Sequence, residues 1–115
     1  MSTYSLTLDA PSDTQGQLKL DLIELKKSAM VLRALNHKLR QQILLLINES
    51  QKITVTDIYI KLRLEQSVAS QHLSILRKAG FVNTTREGKY IYYSVNTERI
   101  AELSKFMTSL LNTKN

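Results

Sequence analysis

The sequence predicts a mainly α-helical fold with one small β-hairpin, in the order α-α-α-α-β-β-α. Apolar residues recur every three or four positions through most of residues 17–80 and again over residues 97–111, which is the spacing of amphipathic helices. Between these stretches, residues 81–95 are rich in β-branched and aromatic side chains and carry a glycine near their middle. That composition is typical of two strands joined by a tight turn.

The composition bounds the class of protein. The chain has 115 residues, of which 43% are hydrophobic and 23% charged, so one globular domain is expected. It contains no cysteine, which excludes disulfides, thiolate metal sites and cysteine catalysis. The longest unbroken apolar run covers residues 43–47, far too few to span a membrane. The first residues lack the basic start and apolar stretch of a signal peptide, so we expect a cytoplasmic protein with no membrane partner.

The charge of the chain favours a nucleic-acid partner. The net charge is +6, and nucleic acid is the commonest polyanion that a basic protein meets. Residues 52–95 contain seven Lys or Arg side chains against three carboxylates, so most of the excess lies in this part of the chain. Charge alone is equally compatible with lysines that are simply hydrated.

Two helices carry apolar seams that are typical of helices packing side by side. The first 16 residues are expected to form a flexible tail before a domain of residues 17–112. The first helix is expected to begin at Gln17 and the last at about Thr97, and both show the a/d pattern. Further apolar residues widen the first stripe, so packing of that helix within its own chain stays open. We expect a dimer interface formed by Leu18, Leu22, Leu25, Ala29 and Leu32 on the first helix and by Ile100, Leu103, Met107 and Leu110 on the last.

Local signals mark the ends of the other helices. Asn36 is a suitable N-cap for a second helix over residues 37–48. After a short extended link, Thr54 and Asp57 fit a capping box that opens a third helix, which should reach about Arg63. The fourth helix should stop at Gly80, because glycine accepts the left-handed conformation that follows many helices.

The fourth helix has an unusual outer face. Its apolar face contains Ala69, Leu73 and Leu76, whereas the opposite face is short and uncharged. Serine is a mediocre helix former, but short side chains can enter a groove about 12 Å wide and hydrogen-bond to base edges. The alternative, that these serines are merely exposed, stays open. The candidate DNA-binding residues on this helix are Gln66, Ser67, Ser70, Gln71 and Ser74.

A helix-turn-helix followed directly by a hairpin is the winged helix-turn-helix fold, which places one helix in a DNA major groove and the hairpin beside the backbone. Gln71 has the geometry to bond an adenine edge in two places. Basic side chains late in the helix and at the hairpin tip are expected to contact phosphates. These residues are Arg77, Lys78, Arg86 and Lys89.

Several motifs resemble one family. Ser-Gln-His-Leu at residues 70–73 is followed by Leu-Arg-Lys-Ala-Gly-Phe-Val at 76–82, Arg-Glu-Gly-Lys at 86–89 and Tyr-Tyr at 92–93. Upstream, residues 35–44 fit the pattern Leu-x-x-x-x-Arg-x-x-Ile-Leu. Together these motifs resemble the ArsR family of bacterial winged-helix repressors, over about residues 20–112. The resemblance implies a homodimer built on the first and last helices, which binds a pseudo-palindromic operator in double-stranded DNA and blocks transcription.

The chain departs from the metal-sensing members of that family. Thr54 and Thr56 stand where a thiolate site would have cysteines, and hydroxyls are not soft-metal ligands. The carboxylate and histidine site of the last helix would begin at residues 97–99 and finish near Leu110 and Thr113, where its ligands are absent. We therefore expect no metal and no cofactor, and the sequence assigns no effector.

The two histidines are expected to have structural roles. His72 falls beside the apolar face of the fourth helix and is expected to be packed there, bonded to backbone or to the hairpin. His37 is expected to be a surface or capping residue.

The sequence is compatible with three functions, none of them enzymatic. No phosphate loop, zinc-protease motif or nucleophile elbow is present, so the sequence does not predict an enzyme. A sequence-specific repressor is favoured; activation instead would depend on where the operator lies relative to the promoter. The alternatives are a dimeric winged-helix scaffold that binds protein instead of DNA, and a small basic protein that packs DNA without reading it. Arg86 and Lys89 argue against the scaffold, and the Ser/Gln face argues against packing, for which charge alone would suffice.

Overall fold

The computed structural model describes residues 4–9 and 17–112. The chain divides into two compact units, residues 1–33 and 34–115. The elements are β1 (Ser5–Asp9), β2 (Gln17–Asp21), α1 (Leu22–Leu35), α2 (Lys38–Ser50), β3 (Ile53–Thr54), α3 (Val55–Lys61), α4 (Gln66–Lys78), β4 (Val82–Glu87), β5 (Tyr90–Val95) and α5 (Thr97–Leu111).

The first unit contains a hairpin that the sequence reading missed. Strands β1 and β2 pair antiparallel, with Leu6 opposite Leu20 and Leu8 opposite Leu18. The prediction of a helix from Gln17 is therefore wrong, and the expected tail contains a strand. Residues 1–3 and 10–16 of that tail lie outside the described residues.

Helix α1 begins where a side chain can cap it. The Asp21 carboxylate accepts hydrogen bonds from the backbone N–H groups of Ile23 at 2.9 Å and Glu24 at 3.2 Å. An acidic N-cap satisfies orphan donors of the first turn and complements the helix dipole. The backbone pairing of the hairpin reaches the start of this helix, since the backbone N–H of Leu22 donates to the Tyr4 carbonyl at 2.7 Å.

Helix α2 is capped by His37 rather than by Asn36. His37 has an extended backbone, and its Nδ1 accepts from the backbone N–H of Leu39 at 3.2 Å, so the expected capping role of His37 is confirmed. The capping role predicted for Asn36 is wrong, because the chain turns into the helix one residue later.

The helix-turn-helix is formed by α3 and α4. Thr54 caps α3 as predicted, since its hydroxyl accepts from the backbone N–H of Asp57 at 3.2 Å. Helix α3 ends at Lys61, short of the expected Arg63, because Arg63 adopts a left-handed backbone with φ of 55°. Helix α4 ends in a Schellman motif, in which Gly80 has φ of 85° and the Phe81 N–H donates to the Leu76 carbonyl at 2.9 Å.

The wing is the antiparallel hairpin of β4 and β5, joined by a turn at Gly88 and Lys89. Gly88 has φ of 64°, which glycine adopts without steric cost. Arg86 and Glu87 were expected in the turn but lie at the end of β4. The link before α3 was expected to be merely extended, yet β3 pairs with β5 and gives a three-stranded sheet of order β3-β5-β4.

The buried core belongs to the second unit. It includes the inward residues predicted on α4, and its largest fully buried side chains are Phe81, Ile43, Ile47, Ile58, Leu73 and Leu76. By contrast, α5 buries no residue completely, and α1 buries only Ala34 among its residues. None of the helices in the described ranges is both long and apolar enough to cross a lipid bilayer.

Candidate nucleic-acid interface

Helix α4 separates its side chains sharply into two faces. Ala69, Leu73 and Leu76 are at most 1% exposed, whereas the predicted reading residues are all exposed to solvent. At about 100° per residue, Ser67, Ser70, Gln71 and Ser74 share one side of the helix, and Gln66 lies on its flank. These side chains are short or carry an amide, and all of them can both donate and accept hydrogen bonds.

Basic side chains flank this surface. Arg77 and Lys78 are exposed in the last turn of α4, where positive charge complements the helix dipole. On the wing, the Nε of Arg86 donates to the Gly88 carbonyl at 3.2 Å. The Lys89 ammonium lies 5.4 Å from the centroid of the Tyr90 ring. Both wing cations are solvent-exposed near the tip of the hairpin, where a phosphate could be reached.

One carboxylate of the wing is paired with Lys52, a residue that the sequence shows only as part of the basic excess of residues 52–95. The Lys52 Nζ lies 2.6 Å from Oε2 of Glu87 and 4.8 Å from the centroid of the Tyr92 ring. The hydrogen bond to Glu87 raises the pKa of the Lys52 ammonium. The pair offsets a negative charge that would repel DNA beside Arg86. Both residues also line an open pocket of about 530 Å³ between the end of α2 and the wing.

A second cluster connects α4 to the helices before it. Arg40 is only 8% exposed, and its Nη1 donates to Nδ1 of His72 at 3.2 Å. The rings of His72 and His37 lie with centroids 5.0 Å apart. His72 is half-buried as predicted, but its hydrogen-bond partner is Arg40 rather than backbone or wing, so that part of the prediction is wrong. Burial lowers the pKa of His72, and electrostatic interactions with the neighbouring His37 and Arg40 lower it further.

The lowered pKa of His72 predicts a stability that falls with acidification. Below about pH 6.5, the ordinary pKa of histidine, the unfolded chain binds a proton at His72 more readily than the folded chain, so protonation favours unfolding. The contribution of neutral His72 to the free energy of unfolding is therefore complete above about pH 6.5. It is lost as the pH falls through the lowered pKa of His72 in the folded state. Urea unfolding from about pH 7.5 to about pH 5 measures this. The wild type should lose more unfolding free energy than His72→Asn, and equal losses would contradict the prediction.

Lys89→Ala is expected to weaken binding to every DNA sequence alike. A lysine that neutralises one phosphate contributes through counterion release, so the slope of log affinity against log salt should fall by about one. Anisotropy titrations across a salt series measure that slope. Lys105→Ala on the exposed surface of α5 removes the same charge and serves as the matched control. If both variants changed the slope equally, Lys89 would have no contact of its own.

The residues predicted for the dimer interface are spread over three elements. Leu18 lies in β2 and not on the first helix, because β1 pairs with that segment. On α1, Leu25 is 51% exposed; on α5, Met107 is 40% and Leu110 58% exposed. Ala29 is also exposed, and the remaining predicted residues are partly exposed: Leu22, Leu32, Ile100 and Leu103.

The positions of the family's thiolate site carry hydroxyl side chains in this chain. Thr54 is a helix cap, and Thr56 is exposed on α3. Within residues 4–9 and 17–112, no group of three or more His, Cys, Asp or Glu side chains is arranged to hold a metal ion. Thr113 lies outside the described residues.

This fold and this surface define a class of protein, the winged helix-turn-helix DNA-binding proteins. The sequence profile described as "Bacterial regulatory protein, arsR family" matches residues 37–84, from the cap of α2 into β4. The chain is 32% identical to the biofilm growth-associated repressor of Agrobacterium fabrum, over 84% of this chain and 82% of that protein. It is 30% identical to the transcriptional activator HlyU of Vibrio cholerae, over 73% of this chain and 77% of that one.

Solved structures agree. The homodimeric winged helix-turn-helix DNA-binding domain of Mb0332 from Mycobacterium bovis matches with a TM-score of 0.66 and 29% identity, over 84% of this chain and 89% of that one. The chain belongs to the ArsR family of bacterial regulatory proteins. Membership confirms the resemblance and the prediction of a DNA-binding transcriptional regulator rather than an enzyme.

Proposed function

We propose that the protein acts as a homodimer that reads a pseudo-palindromic operator and represses transcription. The observation that carries this proposal is the exposed side of α4, where short hydrogen-bonding side chains lie opposite a fully buried apolar face. An ordinary solvated face would be filled with Glu, Lys and Arg, which are good helix formers. Side chains that are short and can bond base edges suit a helix that lies in the major groove.

The roles divide between reading and positioning. Gln71 reads a base edge, and Ser67, Ser70 and Ser74 allow close approach and bond bases or phosphates, with Gln66 at the flank. Arg77 and Lys78, together with Arg86 and Lys89 on the wing, contact the backbone and fix the register without carrying sequence information.

A dimer is supported by the apolar seams. Met107 and Leu110 on α5, and Leu25 on α1, are large side chains with 40–58% of their surface exposed. A 115-residue chain gains core area by covering such seams with a second copy. The Mycobacterium bovis relative is a homodimer. A two-fold axis would present two α4 helices to successive major grooves about 34–36 Å apart.

Leu18 extends the proposed dimer interface onto the β1–β2 hairpin. With Leu8 opposite it and the pair of Leu6 and Leu20 alongside, it forms an apolar face on the β1–β2 hairpin, and each of the four is 45–54% exposed. An isolated two-stranded hairpin is marginal in water, so we assign this face to the same dimer interface as the seam on α1, which follows directly in the chain.

Repression is the proposed direction of regulation. A dimer bound over a promoter blocks polymerase, and one relative is named a repressor. Another relative is named an activator, so a reporter-gene assay is needed to distinguish repression from activation. Deleting the gene should raise expression from a promoter that contains the operator, and a fall would assign activation. Acting on the chromosome is consistent with the expected cytoplasmic location.

Selection from genomic DNA followed by hydroxyl-radical footprinting tests the proposed function. The full chain should enrich a short site and protect two blocks whose centres lie about one helical turn, roughly 10 base pairs, apart. This selected site is the operator. A selection that enriches no sequence, or a footprint with one block only, would contradict the dimeric reading.

A further inference from the structure

Among the residues that the structure describes, one charged side chain is buried, and it belongs to Arg40. Its Nε donates to the Ala34 carbonyl in the last turn of α1 at 2.6 Å, and its Nη1 donates to Nδ1 of His72 on α4 at 3.2 Å. His72 directly follows Gln71 in the sequence. One guanidinium therefore joins the end of α1 to the middle of the helix that carries the reading surface.

Apolar packing sets which face of α4 is buried, and the hydrogen bond at His72 adds a directional restraint on the rotation of α4 about its axis. Ala69, Leu73 and Leu76 seat the helix in the core, but burial of apolar surface is non-directional. Hydrogen bonds, by contrast, weaken steeply away from their preferred geometry. A bond at His72 holds one edge of the buried face in place. A rotation of α4 about its axis would move Gln71 across the groove. The hydrogen bond at His72 therefore determines which base edge Gln71 contacts.

We propose that Arg40 is a positioning residue for sequence readout, which holds α4 through His72 in the rotational setting at which Gln71 meets base edges. This inference rests on the proposed reading role of α4. Arg40 belongs to the Leu-x-x-x-x-Arg-x-x-Ile-Leu pattern of residues 35–44, to which the proposed function gives no other role.

The chemistry of the pair suits a lasting hydrogen bond. Arginine is always protonated and only donates, so Nδ1 of His72 accepts and the ring carries its proton on Nε2. Burial and the neighbouring His37 and Arg40 lower the pKa of His72. The imidazole therefore remains neutral near neutral pH, and its Nδ1 lone pair remains available. The bond to the Ala34 carbonyl fixes the other side of the guanidinium, at an orphan acceptor of the α1 terminus.

Two substitutions at His72 test the inference. His72→Leu removes the acceptor and keeps an apolar side chain for packing. His72→Asn keeps an acceptor, because its Oδ1 is bonded to Cγ as Nδ1 is in histidine. His72→Leu is expected to lower operator affinity about tenfold while affinity for scrambled DNA changes by less than about twofold. His72→Asn is expected to stay within about threefold of the wild type on both DNAs.

The readouts are the ratio of operator to scrambled affinity and the thermal unfolding of each full-length variant. A reduced ratio in folded His72→Leu, restored in His72→Asn, supports the inference. A His72→Leu variant with the wild-type ratio overturns it, and so do equal losses in the two variants or a parallel fall on both DNAs. If the wild type itself shows no preference for the operator, the proposed function fails and this inference fails with it. A wild-type preference that survives His72→Leu overturns the inference alone.

Discussion

Met107→Glu is expected to dissociate the homodimer and to weaken operator binding by about 100-fold or more. Met107 lies in the exposed seam of α5 and is 40% exposed in the single chain, so the change should leave the fold of each subunit intact. In the proposed dimer, each copy would place an unpaired carboxylate in an apolar interface, and an uncompensated buried charge costs about 3–5 kcal/mol. Loss of the dimer also separates the two α4 helices that bind the two half-sites.

Sedimentation velocity measures the dissociation, and anisotropy measures the DNA affinity. Ser109→Glu is the matched control, because it adds the same charge to the same helix about 200° away from Met107. The control should remain dimeric and bind the operator. A Met107→Glu variant that stays dimeric would contradict the assignment of α5 to the interface. A monomeric variant with wild-type operator affinity would contradict the need for a dimer.

Gln71→Ala is expected to cost about 1–3 kcal/mol on the operator and to relax discrimination at a single base position. The amide of Gln71 stands exposed on α4 between Ser67 and Ser74, and the charged side chain on the same side, Lys78, lies about two helical turns further along. Because a bidentate amide bonds the N6 and N7 of one adenine, the loss should appear at one position of each half-site and nowhere else.

A set of operators with single base changes measures this effect by competition. The wild type should reject changes at the position that Gln71 reads, whereas Gln71→Ala should accept them. Gln42→Ala, an exposed glutamine of α2, is the control for loss of an amide elsewhere. If Gln71→Ala bound the operator as tightly as the wild type, the reading role of this residue would be wrong.

The helix-turn-helix and wing could be predicted because local signals fix their boundaries. Thr54 caps α3, Gly80 ends α4, and Gly88 turns the hairpin, each through the backbone conformation that its residue type favours. The burial of one face of α4 followed from the spacing of its apolar residues alone. The two-residue strand β3 could not be found in this way, because two residues are too few to show alternation.

The hairpin of β1 and β2 was missed because two periods overlap there. Leu18 and Leu22 fit the spacing of a helix, while Leu18 and Leu20 fit the alternation of a strand. Pairing with β1 decides in favour of the strand, and the same alternation at Leu6 and Leu8 was the available signal. The prediction that the first helix begins at Gln17 was therefore wrong, because pairing with β1 outweighs the helical spacing of the apolar residues.

Two contacts near the candidate site lay beyond any local pattern. Arg40 meets His72 at a separation of 32 residues, and Lys52 meets Glu87 at 35. Charge counting identified Lys52 only as part of a basic excess, although its ammonium is paired with a carboxylate of the wing. Such pairs depend on how α2, α4 and the wing pack in three dimensions, which spacing along the chain does not encode.

The most direct test of the central claim is fluorescence anisotropy of the full chain on the selected operator and on a scrambled duplex, across a salt series. We expect saturation at two chains per operator and a preference over scrambled DNA of at least about 1,000-fold. As salt rises, nonspecific binding should fall away first and leave the operator complex. Weak binding that falls equally on both duplexes would show that only a basic surface is present, and the claim that this protein reads sequence would be wrong.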